Sequence, residues 1–287
     1  MIIVTGGTGQ LGSQIVDRLL QRLPAGQVGV SVRDPDRAGD LAARGVRVRR
    51  GDFTDPGSLA AAFEGATQVL IVSTSQTGEA ALAQHVAAID AAHESGAGRI
   101  LYTSHQGAAE DSRFAPMPDH AATEQHLAKS GTPFTALRNG FYAGTVQHLL
   151  GRALQTGELV APADGPVSWT AHADLAEAAA AVLAGKGGFD GPTPPLTAPV
   201  ALDLAGVAAI LTDLTGRTVR RVVAGDEEWT ASLVAHGVPA EQANLLLGMF
   251  HAARHGEFAT TGSDLEDLID RPATPLRALL EPLVTAH

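Results

Sequence analysis

The stretch Val4–Gly12 reads VTGGTGQLG. It ends a short apolar run that begins at Met1, and it leads into Leu11, Ile15, Leu19 and Leu23, which recur every four residues. The run has the pattern of a buried strand. The recurrence puts one apolar stripe on a helix that would cover a sheet. Between the two, Gly6, Gly9 and Gly12 stand at a G-x-x-G-x-x-G spacing. In that setting one glycine permits the tight turn, another lets the backbone approach a pyrophosphate, and the third lets helix and strand pack closely. The helix start then faces the phosphates with free N–H groups and a partial positive charge. The stretch therefore predicts a dinucleotide-binding turn.

Working outward, five more strands are expected: VGVSVR (28–33), VRVRRGDF (46–53), TQVLIVSTS (67–75), GRILYTS (98–104) and TPFTALRNG (132–140). Helical stretches separate them, one of them marked by Leu82, Val86 and Ile89. This alternation predicts an α/β protein with a Rossmann-type, doubly wound parallel sheet. Past residue 150 the rhythm changes. A short strand and turn precede an Ala-rich helix that Asp174 is expected to start by accepting free backbone N–H bonds. A Gly/Pro-rich loop (187–199) follows, then helical stretches at 202–217, 226–236 and 239–256. Residues 1–150 are expected to form the NADP-binding domain. Residues 151–287 are expected to form a smaller, mostly helical C-terminal lobe that binds substrate, with part of 151–185 returning to the main sheet.

The 287 residues are 45% hydrophobic, enough for a sizeable core. Twenty Lys and Arg against 31 Asp and Glu leave a net charge of −11, which argues against a nucleic-acid partner. Without cysteine there is no disulfide, no thiolate nucleophile and no Cys-based metal site. The N-terminus lacks the pattern of a signal peptide, and no apolar run approaches the roughly 18 residues of a membrane span. A cytoplasmic protein acting on a small molecule is expected, with a homodimer left open. The end of the second strand selects the cofactor, because an acid there binds the ribose of NAD and an Arg accommodates the 2′-phosphate of NADP. In VRDPDR (32–37), Arg33 at the tip and Arg37 beyond it favour NADP(H), while Asp34 leaves NAD open.

These motifs resemble the NmrA-like branch of the atypical short-chain dehydrogenases/reductases. The marks are VTGGTGQLG, SVRDPDRA, RRGDFTDPGSLAAAFEGATQVLIVS, LYTS, TALRNGFY and, near the end, GEFATTGSDLEDLI. Within the branch the chain is similar to type 2 NADPH:quinone oxidoreductases and triphenylmethane reductases. The resemblance implies that Gly6, Thr8, Gly9, Gln10, Leu11 and Gly12 line the phosphates and that Arg33 meets the 2′-phosphate. It further implies that Asp52 and Phe53 flank the adenine, and that Ser73 and Thr74 lie beside the ribose. Tyr102, Thr103 and Ser104 would lie near the nicotinamide, and Asn139, Gly140, Phe141 and Tyr142 on the nicotinamide side of the pocket. Phe53, Phe141 and Tyr142 read equally well as core residues. The implied activity is hydride transfer from NADPH to a quinone or similar conjugated acceptor. The alternative is a non-catalytic, redox-sensing regulator that binds NADP(H).

The wider superfamily uses Tyr-x-x-x-Lys as its proton donor pair, and here the positions are His120 and Glu124. Four residues apart, they share a helix face, and Glu124 carries the wrong charge to replace a Lys. A simple ketone would leave a basic alkoxide that needs an acid nearby, whereas a quinone leaves a delocalised hydroquinone anion. The pair therefore fits a conjugated acceptor. His120 and Tyr142 are the candidate catalytic residues, with Glu124 expected to favour protonated His120 if the two touch. The alternative is that His120 merely packs or pairs with Glu124. His251 and His255 share the same spacing, but no third metal ligand is evident nearby and no metal is expected. Ser104 beside His105 lacks a nucleophile elbow. The acids in GDEEW (225–229) suit a helix start, and Met249 and Phe250 fit either a substrate wall or the lobe core.

Overall fold

A computed structural model describes residues 1–285. Nine strands are present among the described residues: β1 (Ile2–Thr5), β2 (Val28–Val32), β3 (Arg47–Arg50), β4 (Gln68–Ile71), β5 (Arg99–His105), β6 (Phe134–Asn139), β7 (Glu158–Pro162), β8 (Gly191–Pro192) and β9 (Arg220–Ala224). The first helices are α1 (Gln10–Leu20), α2 (Gly39–Ala43), α3 (Pro56–Phe63), α4 (Glu79–Glu94), α5 (Pro116–Lys129), α6 (Gly144–Leu149) and α7 (Ala153–Thr156). Then come α8 (His172–Leu183), α9 (Leu204–Thr215), α10 (Asp226–Ala235), α11 (Ala240–Arg254), α12 (Asp264–Ile269) and α13 (Leu276–Thr285).

Seven strands form one parallel sheet in the order β3-β2-β1-β4-β5-β6-β8. The chain runs outward from β1 to β3, then returns to β4 on the other side. This reversal opens a crevice at the carboxyl ends of β1 and β4, the usual ligand position of such sheets. One sheet face is covered by α1, α8 and α12, whose Ile15, Leu19, Leu175, Ala179 and Leu268 are buried against Val4 and Val30. The other is covered by α3, α4 and α5 through Phe63, Ile89 and Leu127. A third core, built on Val146, Leu159, Leu211, Phe250 and Phe258, belongs to the C-terminal part. There β7 and β9 add a two-stranded parallel sheet to the expected helices. No helix among the described residues is long and apolar enough to cross a membrane.

Two local expectations are corrected, and the helix marked by Leu82, Val86 and Ile89 is present with a particular rotation. The loop at 187–199 contributes β8, with Gly191 and Pro192 paired to Thr135 and Ala136 of β6. A proline is tolerated there because the strand is an edge with no further neighbour to donate to. On α4 the buried face is Ala81, His85, Ala88, Ile89 and Ala92, while Leu82 and Val86 stay partly exposed. Small side chains let α4 sit close to its neighbours α3 and α5, so volume and not hydropathy sets its rotation.

The second correction is Asp174. It does not start α8 with a side-chain cap, since Ala171 occupies the cap position. Its carboxylate is fully buried and accepts bonds from Arg271 Nη2 (2.6 Å), the Thr274 N–H (2.6 Å) and Thr274 Oγ1 (3.0 Å). Asp174 thus fastens the segment between α12 and α13 to α8. Asp174→Ala strips three donors of their acceptor and should lower unfolding free energy by about 3 kcal/mol. Urea denaturation checks this, and an unchanged midpoint would remove Asp174 from that role.

Candidate functional site

The turn after β1 is shaped by what glycine lacks. Gly6 has a φ of +61°, a left-handed conformation that favours glycine. A Cβ on Gly12 would collide with the Gly6 carbonyl oxygen, and one on Gly7 with Val30. The helix therefore begins directly against the strand end, and its first-turn N–H groups, which have no helical acceptor, face the crevice. Thr8, Gly9 and Gln10 are exposed at this rim, whereas the Leu11 side chain is buried in the core. Only the backbone of Leu11 is available to a ligand.

Arg33, just past β2, is exposed and has no ion-pair partner among the described residues. Its charge helps hold the Asp52 carboxyl below the usual range, though the bonds from Thr54 do more. Asp34 accepts the Asp36 N–H (3.2 Å) and caps a short turn, which ties down the acid that would have favoured NAD. Asp52 accepts both the N–H (2.9 Å) and the hydroxyl (2.8 Å) of Thr54, and Phe53 is half-buried beside it. At the end of β4, Ser73 and Thr74 are half-buried. The Ser73 N–H donates to Thr103 Oγ1 (2.8 Å).

Helix α5 turns His120, Thr123, Glu124 and Leu127 toward the sheet, the i, i+3, i+4 and i+7 positions of one face. His120 and Glu124 go to different partners. Arg138 grips the buried Glu124 carboxylate with Nε (3.1 Å) and Nη2 (2.7 Å), and Ser104 Oγ donates to it at 2.6 Å. His120 Nδ1 meets the hydroxyl of Tyr102 at 2.7 Å. The contact on which Glu124 would favour a protonated His120 is not made. Burial, with the neighbouring His105 and His85, holds the His120 pKa well below its ordinary value, and the Glu124 charge is already spent on Arg138.

Tyr102 stands apart from the expected cofactor contact, since it is fully buried and its hydroxyl supports His120. Thr103, Ser104, Asn139 and Phe141 are also buried, with Asn139 Oδ1 lacking a hydrogen-bond partner. Phe141 packs on Phe258 (ring centroids 4.9 Å), His105 (5.4 Å) and Trp169 (5.6 Å). The rings of His105 and His120 stack 6.2 Å apart. Gly140 leaves no room for a Cβ beside Thr170. Tyr142 stacks on His172 at 4.2 Å, and burial raises its phenol pKa. A cleft of about 270 Å³ lies between Gln10, Gly144, His172 and Leu280. An apolar depression between α10 and α11, lined by Thr230, Val234 and Leu247, lies away from the strand ends.

Other candidates resolve into structure. His251 Nε2 meets Asp226 at 3.1 Å and His255 Nδ1 meets the His251 carbonyl. Asp226, Glu227 and Glu228 form the first turn of α10, and Met249 and Phe250 are buried in the lobe core. Sequence reasoning missed His85, His172 and Phe258. His85 was the legible one, as a histidine on an Ala-rich helix facing a sheet.

A glycine turn closed on its helix, at the reversal of a parallel sheet, defines a dinucleotide-binding Rossmann protein. Residues 6–186 match a family described as NAD(P)H-binding, and the chain belongs to it. It is 35% identical over 277 residues to quinone oxidoreductase 2 of Escherichia coli K12, covering 96% of both chains. The crystal structure of an NADPH-dependent quinone oxidoreductase from Escherichia coli with NADPH superposes with a TM-score of 0.93 at 33% identity, covering 99% of both. The Citrobacter sp. triphenylmethane reductase with NADP(H) gives 0.91 at 33%, covering 100% of both.

The buried imidazoles make stability pH-dependent. Burial pushes His85 down to about 4 and His105 to about 3, from an ordinary 6.5. Below 6.5 the unfolded chain binds protons that these folded imidazoles refuse. Their contribution is therefore complete above 6.5 and is lost on acidification toward 4 and 3, at about 1.4 kcal/mol per pH unit for each. Urea midpoints should drop steeply from pH 7 to pH 5, and less steeply in His105→Phe. A flat profile would mean that these rings are not buried neutral.

Proposed function

We propose that this protein is an NADPH-dependent oxidoreductase that reduces a quinone or a similar flat, conjugated acceptor. The observation that carries the reading is a neutral His120 where the superfamily's proton-donating Tyr would stand, with the Lys position given to a neutralised Glu124. Such a site lacks a strong acid for an alkoxide. It suits an acceptor that delocalises the incoming negative charge.

The residues fit the cofactor. The backbone of Gly6–Gly12, with Thr8 and Gln10, would cradle the pyrophosphate, Arg33 the 2′-phosphate, and Asp52 and Phe53 the adenine edge. Ser73 and Thr74 would meet the ribose. Asn139, Gly140, Phe141 and Tyr142 would border the nicotinamide, with Thr103 and Ser104 buried behind it. Bound NADPH supplies the hydride. His120 would donate a hydrogen bond to the acceptor, and the half-buried Tyr142 phenol, kept protonated by its raised pKa, would complete the wall. The C-terminal part, residues 151–287, would close over the acceptor. The reading keeps the protein cytoplasmic, with a small-molecule partner and no nucleic acid. A non-catalytic regulator has less support, since relatives of comparable length at 33–35% identity are named as reductases.

Arg33→Ala should raise the KM for NADPH about tenfold, the worth of a charge-assisted hydrogen bond, with little change for NADH. Equal effects on both would sink the 2′-phosphate assignment. His120→Ala and His120→Phe should lower quinone turnover about ten- to a hundredfold and leave NADPH affinity nearly intact. Wild-type rates in both variants across pH would exclude His120 from the reaction.

A further inference from the structure

Four groups behind His120 form a chain of hydrogen bonds whose directions can be assigned. The Thr74 backbone N–H donates to His85 Nε2 at 3.0 Å. A backbone N–H can only donate, so Nε2 carries the lone pair. His85 is buried and neutral at working pH, which puts its proton on Nδ1. That nitrogen lies 3.0 Å from Thr123 Oγ1. The Thr123 hydroxyl spends its own proton on the Asp119 carbonyl at 2.7 Å, so it accepts from His85.

Tyr102 closes the chain. Its hydroxyl lies 2.7 Å from His120 Nδ1 and 3.4 Å from His85 Nδ1, with the Thr123 hydroxyl as a third polar neighbour. His85 Nδ1 bears a proton and cannot accept. A fully buried hydroxyl without an acceptor is disfavoured by about 1–3 kcal/mol. Thr123 Oγ1 already accepts from His85, so the short 2.7 Å contact assigns the Tyr102 proton to His120 Nδ1, and the remaining proton of a neutral His120 sits on Nε2. The geometry points to His85 and Tyr102 as positioning residues that fix His120 as an Nε2–H hydrogen-bond donor.

This rests on the reading that His120 faces the acceptor. It deepens that reading by setting the acceptor's chemistry: the atom beside His120 must offer a lone pair, as a quinone carbonyl oxygen does. It also assigns a task to two residues that touch neither cofactor nor acceptor. The chain begins at Thr74, so the β4 end and the His120 ring are linked by hydrogen bonds alone.

The test uses the full-length protein carrying ¹⁵N-labelled histidine. Imidazole nitrogen shifts separate protonated from unprotonated positions, and the His120→Ala spectrum identifies the His120 signals. The wild type should show His120 protonated at Nε2 and bare at Nδ1 between about pH 6 and 8. Tyr102→Phe keeps the ring and removes the hydroxyl. It should bring in the Nδ1–H form and lower quinone kcat about tenfold, with the KM for NADPH unchanged. A wild-type His120 protonated at Nδ1 overturns the proposal, as does an unaltered tautomer in Tyr102→Phe. If that variant does not fold, the wild-type spectrum alone decides. Should His120→Ala retain full quinone turnover, the acceptor-facing role falls while the shifts still test the relay.

Discussion

The Gly6 carbonyl oxygen occupies the space that a side chain at position 12 would need. That contact brings the first turn of α1 against the end of β1, with no side chain between them. Because the sheet reverses its winding beside the same strand, the helix start faces a crevice and not a neighbouring connection. Every other element of the site is arranged around that crevice. Arg33 lies one strand to one side, and the β4, β5 and β6 ends carry the hydroxyls, imidazoles and aromatic rings on the other.

The polar groups beneath the crevice form two separate systems on one face of α5. Glu124, Arg138 and Ser104 make a charge-neutral cluster. Its bidentate geometry gives a buried carboxylate the compensation it requires. His120, Tyr102, His85 and Thr123 make a second system with no formal charge. A Tyr and Lys pair would place a net positive charge here, whereas this arrangement places none. With an acceptor at His120, as proposed, the field there would come from oriented N–H and O–H dipoles, which suits a product that disperses its own charge.

The main sheet was legible because buried parallel strands are near-continuous apolar runs and because the glycine spacing is bound to one turn geometry. The strand-end placement of the expected cofactor residues was legible for the same reason. What was hidden depends on partners remote in sequence. Asp174 looks like a helix starter until Arg271 and Thr274 are folded against it. Gly191–Pro192 reads as loop because its strand character comes entirely from the edge of β6. His120 and Glu124 look like a pair at four-residue spacing, but Tyr102 and Arg138 compete for them from the sheet. The rotation of α4 was not legible from hydropathy, because alanines and His85 are buried beside Ile89 while Leu82 and Val86 stay partly exposed.

Asp174 and its donors are 97 and 100 residues apart. Closing so long a loop carries an entropic penalty that local structure cannot offset early. The α8 end of this clasp packs on α1, the helix of the glycine turn. During synthesis, Arg271 and Thr274 emerge 97 and 100 residues after Asp174. The nascent chain can form its sheet and glycine turn well before that, with a buried carboxylate site still open. Closure of the clasp thus has to follow the arrival of residues 271–274, however early α8 itself forms.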